Sequence, residues 1–352
     1  MVYPQSENSV FYNPVQVQNR DLSVLMISLY AQRNIERKWV IMKRKEIRKV
    51  LMEEWGDPRT LGSKEERKKE NEKLDAEIEQ RVRMMKDDVD FAMLTKRSGI
   101  NSGGVTYKDE GSGLTILEAL AASGLRSLRY WKEIPGVRTI VVNDLDPVAI
   151  ELARENVIRN GLEASLVDRK MKNDITGDAK CINQHRQRPS GIMLQVGDAT
   201  HEMYLSRLPP NLPTSQQNPS ELQQKPQFDV IDLDPYGSAS PFLDAAMQSV
   251  KSGGLLAITC TDMAALGGSH PETCYGRYAA FPVQRGGYLQ ELALRMLLYQ
   301  ISVVAGRYGR SIKPLLSVGM AFYCRVFVEV YDDKAGVSCN IARFFCGPLI
   351  AP

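Results

Sequence analysis

Residues 228–238 (FDVIDLDPYGS) place an acid, a proline and an aromatic residue directly after an apolar run. The run at 230–233 predicts a buried strand, and Pro235 ends it because proline has no N–H for the sheet. Ligands of open α/β sheets bind beyond the carboxyl ends of the strands. There, Asp234 can accept a hydrogen bond from an exocyclic amine, and Tyr236 can stack on a planar base. Taken alone, an Asp-Pro pair more often marks a capped strand end, so neighbouring motifs must decide.

Acidic residues also follow two earlier predicted strands. Asp144 ends the second strand, where a carboxylate commonly holds ribose hydroxyls. Asp146 before Pro147 fits a helix N-cap followed by an N1 proline. Asp198 follows the third strand and can accept from the exocyclic amine of an adenine. Acids after strands two, three and four together favour a nucleoside pocket over chance capping.

The turn after the first predicted strand, residues 118–126 (EALAASGLR), consists mostly of small residues. Small side chains let a cofactor approach the backbone, and the following helix N-terminus favours an anionic group. The turn is not a G-x-G-x-x-G, so the dinucleotide fingerprint is absent. A ribose and an adenine without that loop indicate S-adenosylmethionine rather than NAD.

Strand and helix patterns alternate from Leu114 onward. Repeated β–α units predict an α/β fold with a doubly wound, mostly parallel sheet. The last two strands are separated by a short turn and predict an antiparallel hairpin at one edge. The strands are predicted at residues 114–119, 138–143, 193–196, 228–233, 254–259, 315–322 and 325–331, and the helices up to residue 133 and at 147–160, 241–250 and 288–305.

The composition is ordinary for a globular protein, with 43% hydrophobic and 25% charged residues. The net charge of +3 does not by itself imply nucleic acid, but residues 36–49 hold seven Lys or Arg and two Glu. This run fits a phosphate contact and a solvated helix face about equally. The six cysteines form no CxxC pair and there are three histidines, so we expect reduced thiols and no metal centre.

No apolar run approaches the roughly 20 residues that a membrane span needs, and the first ten residues do not form a secretory signal. We therefore expect no membrane partner and an intracellular protein, with nucleus, mitochondrion and cytoplasm left open. Lys- and Glu-rich residues 63–86 predict an exposed helix or helical hairpin. Residues 168–189 and 206–227 predict flexible insertions, so that most of 168–227 is expected to be an insertion.

Six ordered motifs resemble the class I methyltransferases and are similar, more specifically, to the tRNA (guanine-26-N2)-dimethyltransferase family. The resemblance implies a Rossmann-like fold, S-adenosylmethionine as cofactor, tRNA as partner, and mono- and dimethylation of the exocyclic N2 of guanosine 26. The motifs are FYNP at 11–14 with NRDLS at 19–23, ASGLRS at 122–127, ND at 143–144, GDA at 197–199, DLDPYGS at 232–238 and TCTD at 259–262.

Individual roles follow from the resemblance, position by position. Asp234 is expected to be the catalytic proton acceptor, with the Pro235 carbonyl accepting the second N–H of the amine. The resemblance also implies cofactor contacts and target-base contacts. The expected cofactor contacts are Arg20, Arg126, Asp144, Asp198 and Ala199, and the expected base contacts are Tyr236 and Phe11.

Three segments follow from this interpretation: residues 1–31 contributing to the site, a charged helical insertion and Gly-rich loop at 32–113, and a methyltransferase domain at 114–352. Relatives continue into a C-terminal RNA-engaging domain that we expect to be absent, and Glu118 stands where they often have Asp. Two alternatives stay open, an amino methyltransferase acting on DNA or protein and a catalytically weak RNA-binding relative. The presence of Asp144, Asp198 and Asp234 argues against the second.

Overall fold

The computed structural model describes residues 16–60, 62–89, 113–167, 189–207, 226–283, 287–320 and 322–338. The chain divides into two compact units, one formed by residues 1–27 with 109–352 and the other by residues 28–108. The second unit corresponds to the insertion predicted at 32–113, but it begins at residue 28 instead of 32 and ends at residue 108 instead of 113. In the described part of the chain, no helix is long and apolar enough to cross a membrane.

The first unit is built on one seven-stranded sheet. The strand order is β3-β2-β1-β4-β5-β7-β6, in which the first five are parallel and the last two are antiparallel to their neighbours. This confirms the predicted mostly parallel, Rossmann-like fold with an antiparallel edge hairpin. The strands are β1 Leu114–Glu118, β2 Val137–Asp144, β3 Gly191–Val196, β4 Phe228–Leu233, β5 Val250–Cys260, β6 Ser311–Met320 and β7 Tyr323–Tyr331.

The central strands β1 and β4 are buried along their whole length, as expected for parallel strands covered on both faces. Their register pairs Ile116 with Val230 and Glu118 with Asp232. The sheet thus aligns two acidic residues side by side at the carboxyl ends of adjacent central strands.

Helices connect the strands of the sheet. Asp146 caps α4 by accepting a hydrogen bond from the Val148 N–H at 2.9 Å, with Pro147 at the first helical position, which confirms the predicted cap. The helices are α1 Val17–Trp55, α2 Lys64–Asp87, α3 Leu125–Glu133, α4 Pro147–Arg159, α5 Ala199–Tyr204, α6 Leu243–Ser249, α7 Met263–Leu266, α8 Pro271–Tyr278 and α9 Leu289–Arg307.

The unit at 28–108 contains the later part of α1 and all of α2, and the exposed helix predicted at 63–86 is thereby confirmed. Ser63 and Glu66 form a capping box at the start of α2. Two cations of the basic run, Arg44 and Arg48, pair with acids of α2 and so serve the packing of the two helices. A small apolar cluster joins the helices: Ile47, Leu51, Leu74, Ile78 and Val82.

The range 168–227 is not one insertion, because β3 and α5 lie inside it. Residues 168–188 and 208–225 lie outside the described residues, as does most of the Gly-rich loop predicted at 101–113. β3 begins at Gly191, two residues before the predicted start at Met193, because a glycine at the first position gives no strand signal in the sequence.

Candidate active site

A cavity of about 590 Å³ opens beyond the carboxyl ends of β1 and β4. The strand order reverses between these two strands, which is where open α/β sheets bind ligands. The volume lies in the range of small-molecule clefts. The lining comes from the start of α1, from the turns after β1, β4 and β5, and from Phe322: Gln16, Arg20, Glu118, residues 120–123, Leu125, Arg126, residues 234–237, Thr261, Asp262 and Phe322.

The turn after β1 is held in a tight conformation by Asp144. Ala122 has φ 47° and Gly124 has φ 70°, both in the left-handed region. The Ala122 N–H donates to Asp144 Oδ2 at 2.8 Å, which fixes the first of these residues. A Cβ at Gly124 would lie 2.9 Å from the Ala153 Cβ, so this glycine also permits close packing of α3 against α4.

Asp234 occupies the end of β4 with one oxygen engaged and one without a partner. Its Oδ2 accepts from Arg126 Nη2 in a buried ion pair. Its Oδ1 is buried and has no hydrogen-bond partner among the described residues. A buried acceptor without a partner is rare in native proteins. The carboxylate can therefore take an N–H from a ligand at Oδ1 while Oδ2 stays paired with Arg126.

A buried ionic network lies beneath Asp234 and centres on Asp232. Arg325 donates to both Asp232 oxygens at 2.9 and 3.0 Å, and Arg126 Nη1 donates to Asp232 Oδ2 at 3.2 Å. The Tyr130 hydroxyl donates to the same carboxylate. Burial alone would raise the pKa of Asp232, but the two arginines outweigh it and lower the pKa to about 2. Asp232 is therefore a permanent negative charge under the cavity.

The start of α1 is tied into this network. Arg325 Nη2 donates to Ser23 Oγ at 2.8 Å, and its Nη1 donates to Thr259 Oγ1 at 2.6 Å. Asn19 Nδ2 donates to the same threonine oxygen at 3.4 Å. These contacts position the part of α1 that carries Arg20, a lining residue of the cavity.

Glu118 is the third acid of the cluster, and it holds its proton. Burial raises the pKa of Glu118 to about 8, with the charge of Asp232 adding to the effect and Arg126 opposing it. Its Oε2 accepts from the Ser127 N–H at 2.9 Å and from the Ser127 hydroxyl. Arg126 Nε lies 3.9 Å from Glu118 Oε1, but this arginine is shared with Asp232 and Asp234 and does not outweigh the cost of burying a third charge.

The segment after Asp234 is anchored to the loop after β5. The Gly237 N–H donates to Thr261 Oγ1 at 2.8 Å, and the Thr261 N–H donates to the Gly237 carbonyl at 2.7 Å. The Ser238 hydroxyl lies 2.7 Å from the Tyr278 hydroxyl of α8. Tyr236 directly precedes these anchors and is 90% exposed. The chain after Tyr236 is thus held in place while the aromatic ring stands at the surface beside the cavity.

Asp262 lines the same cavity and is held by α8. The Tyr278 hydroxyl lies 2.8 Å from Oδ1 and 2.9 Å from Oδ2 of Asp262. Arg277 Nη1 donates to Oδ2 at 2.9 Å. The cavity therefore has a second fixed carboxylate besides Asp234.

The structure brings together most, but not all, of the predicted site residues. Arg20, Arg126, Asp234, Pro235 and Tyr236 line the cavity. Three residues that we expected to contact the cofactor are not among the described residues that line the cavity: Asp144, Asp198 and Ala199.

Two of these three side chains, those of Asp144 and Asp198, accept hydrogen bonds from nearby backbone N–H groups. Asp144 supports the turn after β1, and Asp198 caps α5 by accepting from the His201 N–H at 2.8 Å. Phe11 lies outside the described residues. The individual roles of all these residues stay predictions.

Comparisons with known proteins agree on one family. The family model described as N2,N2-dimethylguanosine tRNA methyltransferase matches residues 2–188 and 214–345. A tRNA (guanine(26)-N(2))-dimethyltransferase of Drosophila melanogaster is 35% identical over 338 residues, covering 96% of this chain and 45% of the relative. The Homo sapiens protein of the same name is 36% identical over 341 residues, covering 96% and 42%.

The chain belongs to the N2,N2-dimethylguanosine tRNA methyltransferase family. It spans somewhat less than half the length of these two family members, 45% and 42%. Among solved structures, it is similar to Trm1 from Pyrococcus horikoshii in complex with S-adenosyl-L-methionine, with 27% identity and a TM-score of 0.50. That likeness covers 65% of this chain and 53% of the Pyrococcus horikoshii protein.

Proposed function

We propose that this chain is the catalytic part of an S-adenosylmethionine-dependent methyltransferase that mono- and dimethylates the N2 of guanosine 26 in tRNA. The observation that carries the proposal is the buried Asp234 Oδ1, which has no hydrogen-bond partner in the described part of the chain and lies at the switch point of the sheet in a chain of this family. An intracellular location follows from a tRNA substrate.

The cavity fits a nucleoside-bearing cofactor in its shape and chemistry. The turn after β1 exposes backbone and small side chains to the cavity, and Asp144 holds that turn in place. Arg20 and Arg126 supply cationic groups that suit the carboxylate of a methionine moiety. When bound, S-adenosylmethionine supplies an electrophilic methyl group on a sulfonium.

Asp234 is suited to manage the proton of the target amine. The exocyclic amine of guanine is a weak nucleophile because its lone pair is delocalised into the ring. An acceptor at Asp234 Oδ1 holds one N–H and withdraws the proton as the nitrogen attacks. Arg126 holds the other oxygen, Oδ2, in an ion pair, which fixes the orientation of the carboxylate. The Pro235 carbonyl is the proposed acceptor for the second N–H.

Tyr236 is suited to receive a base that has left its stack. Enzymes that modify a base within a folded nucleic acid take it out of the stack and hold it against flat side chains. A ring that is 90% exposed beside the acid of the site can meet a base that arrives from solvent. The hydrogen bonds of Gly237 and Ser238 hold the chain that follows the ring.

The test measures cofactor binding and methyl transfer separately. The purified chain is titrated with S-adenosylmethionine by calorimetry, and transfer of labelled methyl is followed on an unmodified tRNA transcript with guanosine 26. Asp234→Asn should lower transfer by at least about 10²-fold, because the general base is lost, while the cofactor Kd changes by less than about threefold.

The matched control is the same transcript with adenosine 26, which should accept no methyl at that position. A variant Asp234→Asn with near-normal turnover would contradict the assignment of the base. Cofactor binding by the unmutated chain without transfer to the guanosine transcript would contradict the proposed activity of this chain.

A further inference from the structure

Guanine presents more donors to the site than the methyl transfer uses. If its N2 amine is held by Asp234 and the Pro235 carbonyl, the neighbouring N1–H lies on the same edge of the base. Leaving a buried N–H without an acceptor costs about 1–3 kcal/mol. A site for guanine therefore needs one more acceptor beside the two that serve the amine.

Three carboxyl groups line the cavity, and two of them are already committed. Asp234 serves the amine, whereas Glu118 Oε2 accepts two hydrogen bonds from Ser127 and its Oε1 lies 3.9 Å from Arg126 Nε. Asp262 is the remaining carboxylate.

Asp262 is fixed next to the segment that would hold the amine. Its neighbour Thr261 makes two hydrogen bonds with Gly237, which lies two residues after Pro235. Arg277 donates to Oδ2, and among the residues that the structure describes Oδ1 has one hydrogen-bond partner, the Tyr278 hydroxyl. A carboxylate oxygen accepts two hydrogen bonds, so Oδ1 retains capacity for a ligand.

We propose that Asp262 reads the N1–H of the target guanine through Oδ1, and that it is the residue that selects guanine over bases with an acceptor at N1. The proposal rests on the proposed function of the same site. Adenine has a lone pair at N1, and a carboxylate placed against it would be left unpaired and repelled. Sites built to hydrogen-bond a substrate donor reject analogues without that donor by large factors.

The experiment exchanges donor and acceptor on both sides of the contact. 2-Aminopurine keeps the 2-amine of guanine but has an acceptor at N1. In Asp262→Asn, the Arg277 donor should keep the amide oxygen at the Oδ2 position, so that the amide N–H₂ occupies the Oδ1 position and faces that acceptor. The measured quantity is kcat/KM for tRNA with guanine 26 divided by kcat/KM for tRNA with 2-aminopurine 26.

The unmutated chain should prefer guanine by at least about 10²-fold, and Asp262→Asn should lower this ratio by about 10²-fold or more. The matched control is Asp244→Asn, since Asp244 also accepts from tyrosine hydroxyls, those of Tyr204 and Tyr308, but is not part of the cavity lining. This control should leave the ratio unchanged.

Equilibrium binding gives a second measurement if Asp262→Asn turns over neither substrate. The same ratio is then taken from the Kd values of the two tRNAs for the protein loaded with S-adenosylhomocysteine. A ratio that is the same in Asp262→Asn and the unmutated chain overturns the proposal. Activity of the unmutated chain on guanine 26 tests the proposed function separately, so the two failures are distinguishable.

Discussion

Arg325 of β7 reaches across β5 to donate two hydrogen bonds to Asp232 of β4, and neither side chain is exposed to solvent. The strand between them contributes Thr259, whose hydroxyl accepts a third bond from the same guanidinium. Three neighbouring strands are thus joined beneath the cavity by one buried arginine. The planar, five-donor guanidinium suits this role, and a lysine could not make the same set of bonds.

Removing this arginine should strongly destabilise the first unit. In Arg325→Met, Asp232 would lose its bidentate partner while remaining buried, and breaking a buried pair in this way costs about 3–5 kcal/mol. The free energy of unfolding is measured by urea denaturation. Arg129→Met is the control, because its side chain is partly exposed and its pairs with Asp21 and Glu133 are worth about 0–1 kcal/mol. Equal losses in the two variants would contradict the prediction.

The stability of the protein should fall with rising pH because of Glu118. The folded protein binds the proton with a pKa of about 8, whereas the unfolded chain has the ordinary value of 4.5. Between these values the folded state holds one proton more, so the free energy of unfolding decreases as pH rises, by up to about 1.4 kcal/mol per pH unit. The contribution is fully present below pH 4.5 and is lost as pH passes about 8.

Glu118→Gln removes this titration and should flatten the dependence. The difference between the variant and the unmutated chain, followed by denaturation at several pH values from 5 to 8, should grow steadily with pH. Glu272→Gln, at an exposed position, serves as the control and should follow the unmutated chain. A constant difference across this range would show that Glu118 is charged in the folded protein.

The exposed ring of Tyr236 should matter for activity and not for stability. Tyr236→Ala should leave the free energy of unfolding within about 0.5 kcal/mol, as for other exposed positions. It should lower kcat/KM on tRNA by about 5- to 150-fold, because stacking of a base on an aromatic ring is worth about 1–3 kcal/mol. Tyr236→Phe keeps the ring and should retain most of the activity. Equal activity of the alanine and phenylalanine variants would exclude stacking.

The capping box of α2 should set the local stability of the helix start. Ser63 accepts from the Glu66 N–H at 3.1 Å, and Glu66 accepts in return from the Ser63 N–H at 3.3 Å. Ser63→Ala should cost about 1 kcal/mol, which corresponds to about fivefold faster hydrogen exchange at the Glu66 amide. Glu66→Gln preserves the motif and should change exchange little. Comparable acceleration in both variants would count against the box.

The sequence predicted the sheet well because its strands are apolar and its turns carry proline, glycine or capping acids. β4 was predicted with its observed bounds, and the Asp146 cap was recognised because a short, local pattern determines it. The three acids expected at strand ends, Asp144, Asp198 and Asp234, lie at or just after the ends of β2, β3 and β4. Strand bounds, helix caps and strand-end acids are determined by residues close to one another in the sequence, which is why they could be predicted.

The partners of the buried charges could not be predicted in the same way. Arg126 and Asp234 are 108 residues apart, and Arg325 and Asp232 are 93 apart. Asp232 and Arg325 lie inside apolar strands, and a charge in that position signals that a partner exists without saying which residue it is. The cavity-lining position of Asp262 likewise depends on α8, whose contacts with the loop after β5 no spacing in the sequence reveals.

The hydrogen bond between Ser23 and Arg325 joins residues that are 302 positions apart. A ribosome adding about 5–20 residues per second needs roughly 15–60 s to synthesise the interval between them. Asp232 is made 93 residues before Arg325, so for the last part of that interval its carboxylate has no access to the arginine that pairs with it. The sheet unit therefore cannot complete its interior during synthesis until β7 emerges.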